Sequence, residues 1–307
     1  METGLKVLIT GGTGSVGREL CKFLTEQGIE VSILSRSKRS NSTYKTYLWD
    51  HENFLIDNNA FENIDYIVHL AGAGIADKRW TESRKKEILD SRVKTTALLY
   101  KALSKSKYKV KGIISASAVG FYGQKTSKTI FKEEDQPGND FVASVCTAWE
   151  TAVNKFQDLG MRTVNLRIGI VLMKKGGALE KMAQPFYWNV GAPLGNGKQI
   201  IPWIHITDLN RIILQAIRSP QMDGPYNCCA PDPVNNAEFS IQLADVLGKH
   251  IWLPKVPSWA LRLILGNRAV LLTEGSRVSA DKILNTKFEF KYPKLLPALR
   301  DLLTSKP

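Results

Sequence analysis

Hydrophobic and polar positions along the first half of the chain alternate between two periods. Short apolar runs at residues 7–10, 30–34, 66–70, 110–115 and 163–167 have the length of buried strands. Between them, residues 16–25, 81–104 and 142–158 carry apolar positions at helical spacing, and residues 35–43 form a polar loop. Strands alternating with helices in this way predict a doubly wound parallel sheet with helical crossovers, a Rossmann-type α/β fold.

Beyond Ile168 the rhythm changes. Gly176-Gly177, Gly191, Pro193, Gly195, Gly197 and Pro202 punctuate shorter elements. A helix over 208–218 is expected to return to the first lobe, and one over 237–247, introduced by the capping candidates Asn235 and Asn236, to belong to a second. The expected division is a nucleotide-binding lobe of residues 1–170, to which 203–228 return, and a smaller C-terminal α/β substrate lobe of 171–202 and 229–307.

Composition narrows the class. The 307 residues are 43% hydrophobic and 23% charged, ordinary for a globular chain, and no run approaches the ~20 apolar residues of a membrane span. Met1 to Lys6 lead into the first strand without a signal-peptide pattern, so a cytoplasmic protein is expected. Cys21, Cys146, Cys228 and Cys229 lack the spacing of a zinc site or a disulfide framework, and no metal is expected. Lys+Arg 42 against Asp+Glu 29 gives a net charge of +13, but the basic residues are scattered. Their densest groups, Arg84 to Lys86 and Lys101 to Lys111, sit at the ends of one predicted helix without a stacking or recognition motif, so a solvated basic face is preferred to a nucleic-acid surface.

Chemistry enters at Thr10-Gly11-Gly12-Thr13-Gly14-Ser15-Val16-Gly17, directly after the first strand and opening the first helix. There Gly11 permits a tight turn, Gly14 lets the backbone approach a pyrophosphate, and Gly17 lets helix and strand pack closely, while the helix N-terminus offers amide donors. An NAD site would place a carboxylate near the end of the second strand for the ribose 2′-hydroxyl. This chain reads Leu34-Ser35-Arg36-Ser37-Lys38-Arg39 there, and Ser35 with Arg36 suits a 2′-phosphate, so the expected cofactor is NADP (NADPH).

Taken together, these segments resemble an extended short-chain dehydrogenase/reductase of the NAD-dependent epimerase/dehydratase type, and the resemblance runs over nearly the whole chain. His69-Leu70-Ala71-Gly72 looks like the family's strand end beside the cofactor, Ser115 to Gly123 like its active-site serine segment, and Trp203 to Asp208 like its H-x-x-D signature. Ala76 to Thr81, Asp90-Ser91-Arg92, Cys146 to Glu150 and Pro193 to Gly197 are similar to a narrower branch of nucleoside-diphosphate-sugar epimerase-like proteins. The resemblance implies cofactor contacts from Glu87, Arg92 and Ile170.

The family's Asn, Ser, Tyr and Lys quartet is altered. Ser117 fits the Ser position, but Tyr-x-x-x-Lys reads Cys146-x-x-x-Glu150, and the Asn position reads Arg92. One reading has Arg92 as the fixed cation, balanced by Glu150, with Cys146 or Tyr122 as acid/base for an oxidoreductase or epimerase-like reaction on a small substrate, nucleotide-linked or not. The other has no hydride chemistry, the protein being an NADPH-binding sensor or interaction protein. Lys78-Arg79-Trp80 suits an anionic, ring-bearing substrate or equally a capped helix start with exposed basic residues; Trp149, Trp203 and His205 are further cleft candidates, although a Trp on a helix is more often core and a His here more often a hydrogen-bonded structural residue than a general base.

Overall fold

The structure is a computed structural model that describes residues 4–37 and 43–304; Lys38 and Arg39 of the basic loop lie outside them. Eight strands form one sheet: β1 (Lys6–Thr10), β2 (Glu30–Ser35), β3 (Lys45–Asp50), β4 (Leu55–Ile56), β5 (Tyr66–His69), β6 (Gly112–Ala118), β7 (Arg162–Ile168) and β8 (Gly224–Cys228). Their order is β8-β7-β6-β5-β1-β2-β3-β4, parallel throughout except for the antiparallel β3–β4 pair at one edge. The chain leaves β1 towards β2 and β3, then crosses back to β5. The sheet therefore reverses direction between β1 and β5, where open α/β sheets bind ligands beyond the carboxyl ends of their strands.

The principal helices are α1 (Ser15–Glu26), α2 (Glu82–Ser104), α3 (Phe141–Asn154), α4 (Ala178–Tyr187), α5 (Ile206–Arg218), α6 (Asn236–Val246), α7 (Ser258–Leu265) and α8 (Leu295–Thr304). Period-two alternation sends Val7 and Ile9 of β1 to a core shared with α1 and α5, and Leu8 to one shared with α2 and α3. Each such fully buried side chain contributes about 1.5–3 kcal/mol of transfer free energy. A third core joins α4, α6 and α8 to the strand segments Ile170–Leu172 and Trp203–His205, which pair in parallel.

Most boundaries have local causes. Thr81 accepts from the Arg84 amide and starts α2 one residue later than the spacing predicts, whereas Asp140, which accepts from Ala143 N at 2.9 Å, starts α3 one residue earlier. The helix predicted to reach residue 158 is α-helical only to Asn154; it tightens into a 3-10 turn, Lys155–Leu159, closed by left-handed Gly160. The strand expected at 110–115 runs instead over 112–118 and carries Ser117 at its carboxyl end. Among the described residues no helix is long and apolar enough to cross a membrane, and no group of His, Cys, Asp and Glu is placed to hold a metal.

Candidate functional site

A cleft of about 1020 Å³ opens at the carboxyl ends of β1, β2, β3 and β5. Its floor is the glycine turn. Gly11 has φ +72°, and a Cβ there would come within 2.9 Å of the Leu70 carbonyl carbon; a Cβ on Gly17 would collide with Gly11 O. Gly14 N donates to Gly11 O at 2.9 Å, which closes the turn. Gly14 is also the N-cap of α1, and unlike α2, α3 and α6 this helix has neither a side-chain cap nor an acidic residue in its first turn. Its N-terminal amides and the positive end of its dipole are left to an anion.

The other walls are charged. Ser35, Arg36 and Ser37 line the cleft at the end of β2, with Lys78, Arg84, Lys86 and Lys94 across it on α2 and the loop before. Glu87 also lines it, bonded to Arg84 Nη1 at 2.6 Å; Arg84, with Lys78 and Arg36 further off, holds its carboxyl below the usual range. Sequence reasoning missed Trp49, Asp50, His51 and Glu52, which line the cleft from the end of β3. Asp50 is turned into its own loop, where it accepts from Glu52 N at 2.9 Å and from Asn53 Nδ2 at 2.7 Å. The signal was the alternation Tyr47, Trp49, two inward aromatics in a strand.

Of the proposed cofactor residues, Gly11, Thr13, Gly14, Ser35, Arg36, Leu70, Ala71, Gly72 and Glu87 line the cleft. Ser15, Val16, Gly17, His69, Arg92 and Ile170 do not. Ser15 lies against Gly176, Val16 packs between two cores, and Ile170 pairs with Trp203. His69 is fully buried below the floor, its Nδ1 2.7 Å from Thr10 Oγ1 and its Nε2 3.1 Å from Thr96 Oγ1, between the edges of Trp49 and Trp149. Burial, helped by Arg92, brings its pKa down to about 3.

Ser117, Cys146, Glu150 and Arg92 converge. The Ser117 hydroxyl donates to Glu150 Oε1 at 2.6 Å. The Cys146 thiol lies beside them; burial pushes it up to about 12, with Glu150 adding to the shift and Arg92 opposing it. Arg92 stacks over Trp149 with Cζ 5.0 Å from the ring centroid, and donates through Nη1 to Ala73 O (3.1 Å) and Ile88 O (2.9 Å). Its guanidinium rests against Gly72 in the cleft wall, where a Cβ would lie 3.0 Å from Cζ.

Two sequence expectations need correction. Glu150 is not the counterion of Arg92. It is held bidentately by Arg167, through Nε to Oε1 and Nη2 to Oε2, both 2.9 Å, with both side chains buried. Arg167, missed in the sequence, faces Ser117 in the β6–β7 register and so projects from the same face of the sheet. Tyr122 is bound into the same network rather than presented to the cleft. Arg167 Nη1 donates to its oxygen at 2.9 Å, and its hydroxyl donates to Asn227 Oδ1 at 2.8 Å. Burial pushes this phenol up to about 12 against the pull of Arg167. Asn227 N in turn donates to Glu133 Oε1 at 2.8 Å.

On the substrate side, Lys78 lines the cleft and Trp80 is half-buried, its Nε1 donating to Ile75 O at 2.8 Å. Arg79 donates to Ile264 O at 3.0 Å and Arg268 to Ala76 O at 2.8 Å, tying this loop to α7 and the turn after it. Trp203 and Trp149 are core residues. His205 caps α5 through Thr207 N and stacks 3.9 Å from Tyr292.

The NAD dependent epimerase/dehydratase family model matches residues 7–229, and a domain of unknown function, DUF1731, matches residues 256–302. An epimerase family protein of Staphylococcus saprophyticus is 37% identical over 300 residues, 96% of this chain and 98% of its own. The human epimerase family protein SDR39U1, solved with NADPH, superposes with a TM-score of 0.89 at 33% identity over 98% of this chain and all of its own. A UDP-glucose 4-epimerase of Thermus thermophilus, solved with NAD, superposes at 0.76 with 20% identity over 96% of this chain and 97% of its own, a likeness of fold alone.

Proposed function

The chain belongs to the NAD dependent epimerase/dehydratase family as an atypical short-chain dehydrogenase/reductase with an NAD(P)-binding fold, and from that premise we propose that it is an NADPH-dependent reductase of a small carbonyl compound. The observation that carries the reading is the bare N-terminus of α1, which opens into a cleft whose β2 rim is Ser35-Arg36-Ser37 with no carboxylate among them. Gly11, Gly14 and the first-turn amides of α1 would hold the pyrophosphate, and Ser35 and Arg36 the 2′-phosphate. Bound there, NADPH supplies a hydride. The human relative solved with NADPH supports this choice.

The residues around Ser117 fix what the protein contributes. Cys146 and Tyr122 both hold their protons through neutral pH, so neither offers a base for oxidising an alcohol. Reduction places a hydride on the carbonyl carbon and a proton on its oxygen; that proton would come from solvent water, and the protein would supply polar groups aimed at the oxygen that gains negative charge. Arg92, whose guanidinium lies against Gly72 in the cleft wall, is so placed; the single Ser117 proton goes to Glu150. Arg167 balances the charge of Glu150, which in turn holds the Ser117 hydroxyl in place.

Calorimetric titration tests the cofactor assignment. NADPH is expected to bind at least tenfold more tightly than NADH, and Arg36→Glu to remove that preference, since a charge-assisted contact is worth about 1.5–3 kcal/mol. Equal affinities in the native protein would sink it. Turnover is tested by NADPH oxidation against a panel of carbonyl compounds, with Arg92→Gln as the control. Tight NADPH binding without turnover of any member would favour the sensor reading.

A further inference from the structure

Five lysine and arginine side chains line the cofactor cleft among the described residues: Arg36, Lys78, Arg84, Lys86 and Lys94. Three of them are already matched. Arg84 Nη1 holds Glu87 Oε2 at 2.6 Å, and Lys86 and Lys94 share Asp90 Oδ2 at 2.8 and 3.0 Å. The side chains of Arg36 and Lys78 are exposed and make neither an ion pair nor a hydrogen bond among the described residues. They come from different walls, Arg36 directly after β2 and Lys78 from the loop 74–80 that leads into α2. Both nevertheless act on one group, the Glu87 carboxyl, which they help Arg84 to hold below its usual range.

The backbone on either side of Lys78 is tethered. Arg84 Nη2 donates to Gly74 O and Arg268 Nη1 to Ala76 O, while Asp77 pairs with Lys181 of α4 at 3.3 Å. Arg79 is bound to Ile264 O and Trp80 Nε1 to Ile75 O. Asp77, Arg79 and Trp80 are thus all engaged by the protein itself, and Lys78 stands between them as a cation on a fixed base. Such a side chain needs little further ordering of its loop when a ligand arrives.

The charges indicate the ligand. The amides of α1 provide for a pyrophosphate, and the remaining phosphate of NADPH is a monoester carrying about −1.5 to −2 charges near neutral pH. Arg36 alone would leave part of that charge unmatched, whereas Arg36 and Lys78 together balance it. Glu87, the carboxylate nearest to both, is balanced by Arg84 and does not repel it. We propose that Lys78 grips the 2′-phosphate of NADPH from the wall facing Arg36 and is a specificity-determining residue for that cofactor. This rests on the reading of the cleft as an NADPH site.

Calorimetry with NADPH and NADH on the native protein, Lys78→Met and Lys78→Arg tests it. Lys78→Met should weaken NADPH about tenfold and NADH less than twofold, and Lys78→Arg should keep most of the native affinity. The contact is located by the phosphorus-31 resonance of the 2′-phosphate in bound NADP⁺, followed as pH is lowered. In the native protein this group should stay dianionic well below its free pKa of about 6, and in Lys78→Met its titration should move back towards that value. Equal losses for NADPH and NADH, or a 2′-phosphate that titrates alike in native protein and Lys78→Met, overturns the proposal. The two readings fail separately. A native protein without preference for NADPH removes the cofactor assignment made above, whereas a preference that survives in Lys78→Met removes only the role of Lys78.

Discussion

Arg167 decides the character of the site. One guanidinium makes a bidentate pair with Glu150, a bond to Tyr122 and a bond to Glu133 O at 3.0 Å, in a place where its side chain is 4% exposed. Arg167→Met would leave the Glu150 carboxylate buried with Ser117 alone, and a buried charge stripped of its partner costs about 3–5 kcal/mol. Urea unfolding should show that loss in Arg167→Met, and a much smaller one in the double variant Arg167→Met with Glu150→Leu, which removes both charges. Additive losses would mean the pair is not energetically coupled. Glu150 was legible in the sequence as a reversed charge at a lysine position. Its partner was not, because the contact is set by the register of two parallel strands whose pairing no local pattern encodes. The same holds for Trp80, visible as an aromatic beside a basic pair but not as part of an apolar cluster built from four segments.

At the level of elements, the sequence was most informative where one physical signal dominated. β1, β2 and β5 are short apolar runs, and α1, α2 and α5 carry strong caps or amphipathic spacing, so the frame of the cofactor cleft could be read directly. β3 and β4 were not anticipated. Lys45, Thr46 and Asp50 interrupt the apolar character, and only Tyr47 and Trp49 turn inward. Helices α4, α7 and α8 were equally unmarked; α4 contains Pro185, and α7 leaves Trp259, Leu263 and Ile264 exposed, so neither shows a clean apolar stripe. The glycine turn is the element with the least tolerance. Gly11→Ala adds a Cβ at φ +72° and 2.9 Å from the Leu70 carbonyl carbon, a strained conformation and a backbone contact at once. The variant should lower the unfolding free energy by about 1–3 kcal/mol and weaken NADPH binding more than tenfold. Native-like affinity would show that β1, β5 and the turn shift together without disturbing the cleft.

Across the whole molecule, one buried group links the sheet to the helices on one face. The His69 ring contacts Thr10 on β1 and Thr96 on α2, and lies between Trp49 from β3 and Trp149 from α3. Its folded pKa of about 3 lies below the ordinary 6.5. Above pH 6.5 both folded and unfolded chains carry it neutral, so its contribution is fully present. As pH falls below 6.5 the unfolded chain takes up a proton that the folded chain refuses. Stability then drops by about 1.4 kcal/mol per pH unit and continues to drop until the folded pKa is approached. His205, also held down by burial although Asp301 and Asp208 pull the other way, adds to the same trend. Urea midpoints measured from pH 7 to pH 4.5 should therefore fall steeply in the native protein. His69→Gln should be less stable at pH 7, where two hydroxyl contacts are altered, yet should lose about 1.4 kcal/mol less for each pH unit below 6, since one of the refused protons is gone. Parallel pH profiles for the two proteins would place the acid sensitivity elsewhere. A shallower variant profile would show that His69, buried below the cleft floor, accounts for part of the acid sensitivity of the fold.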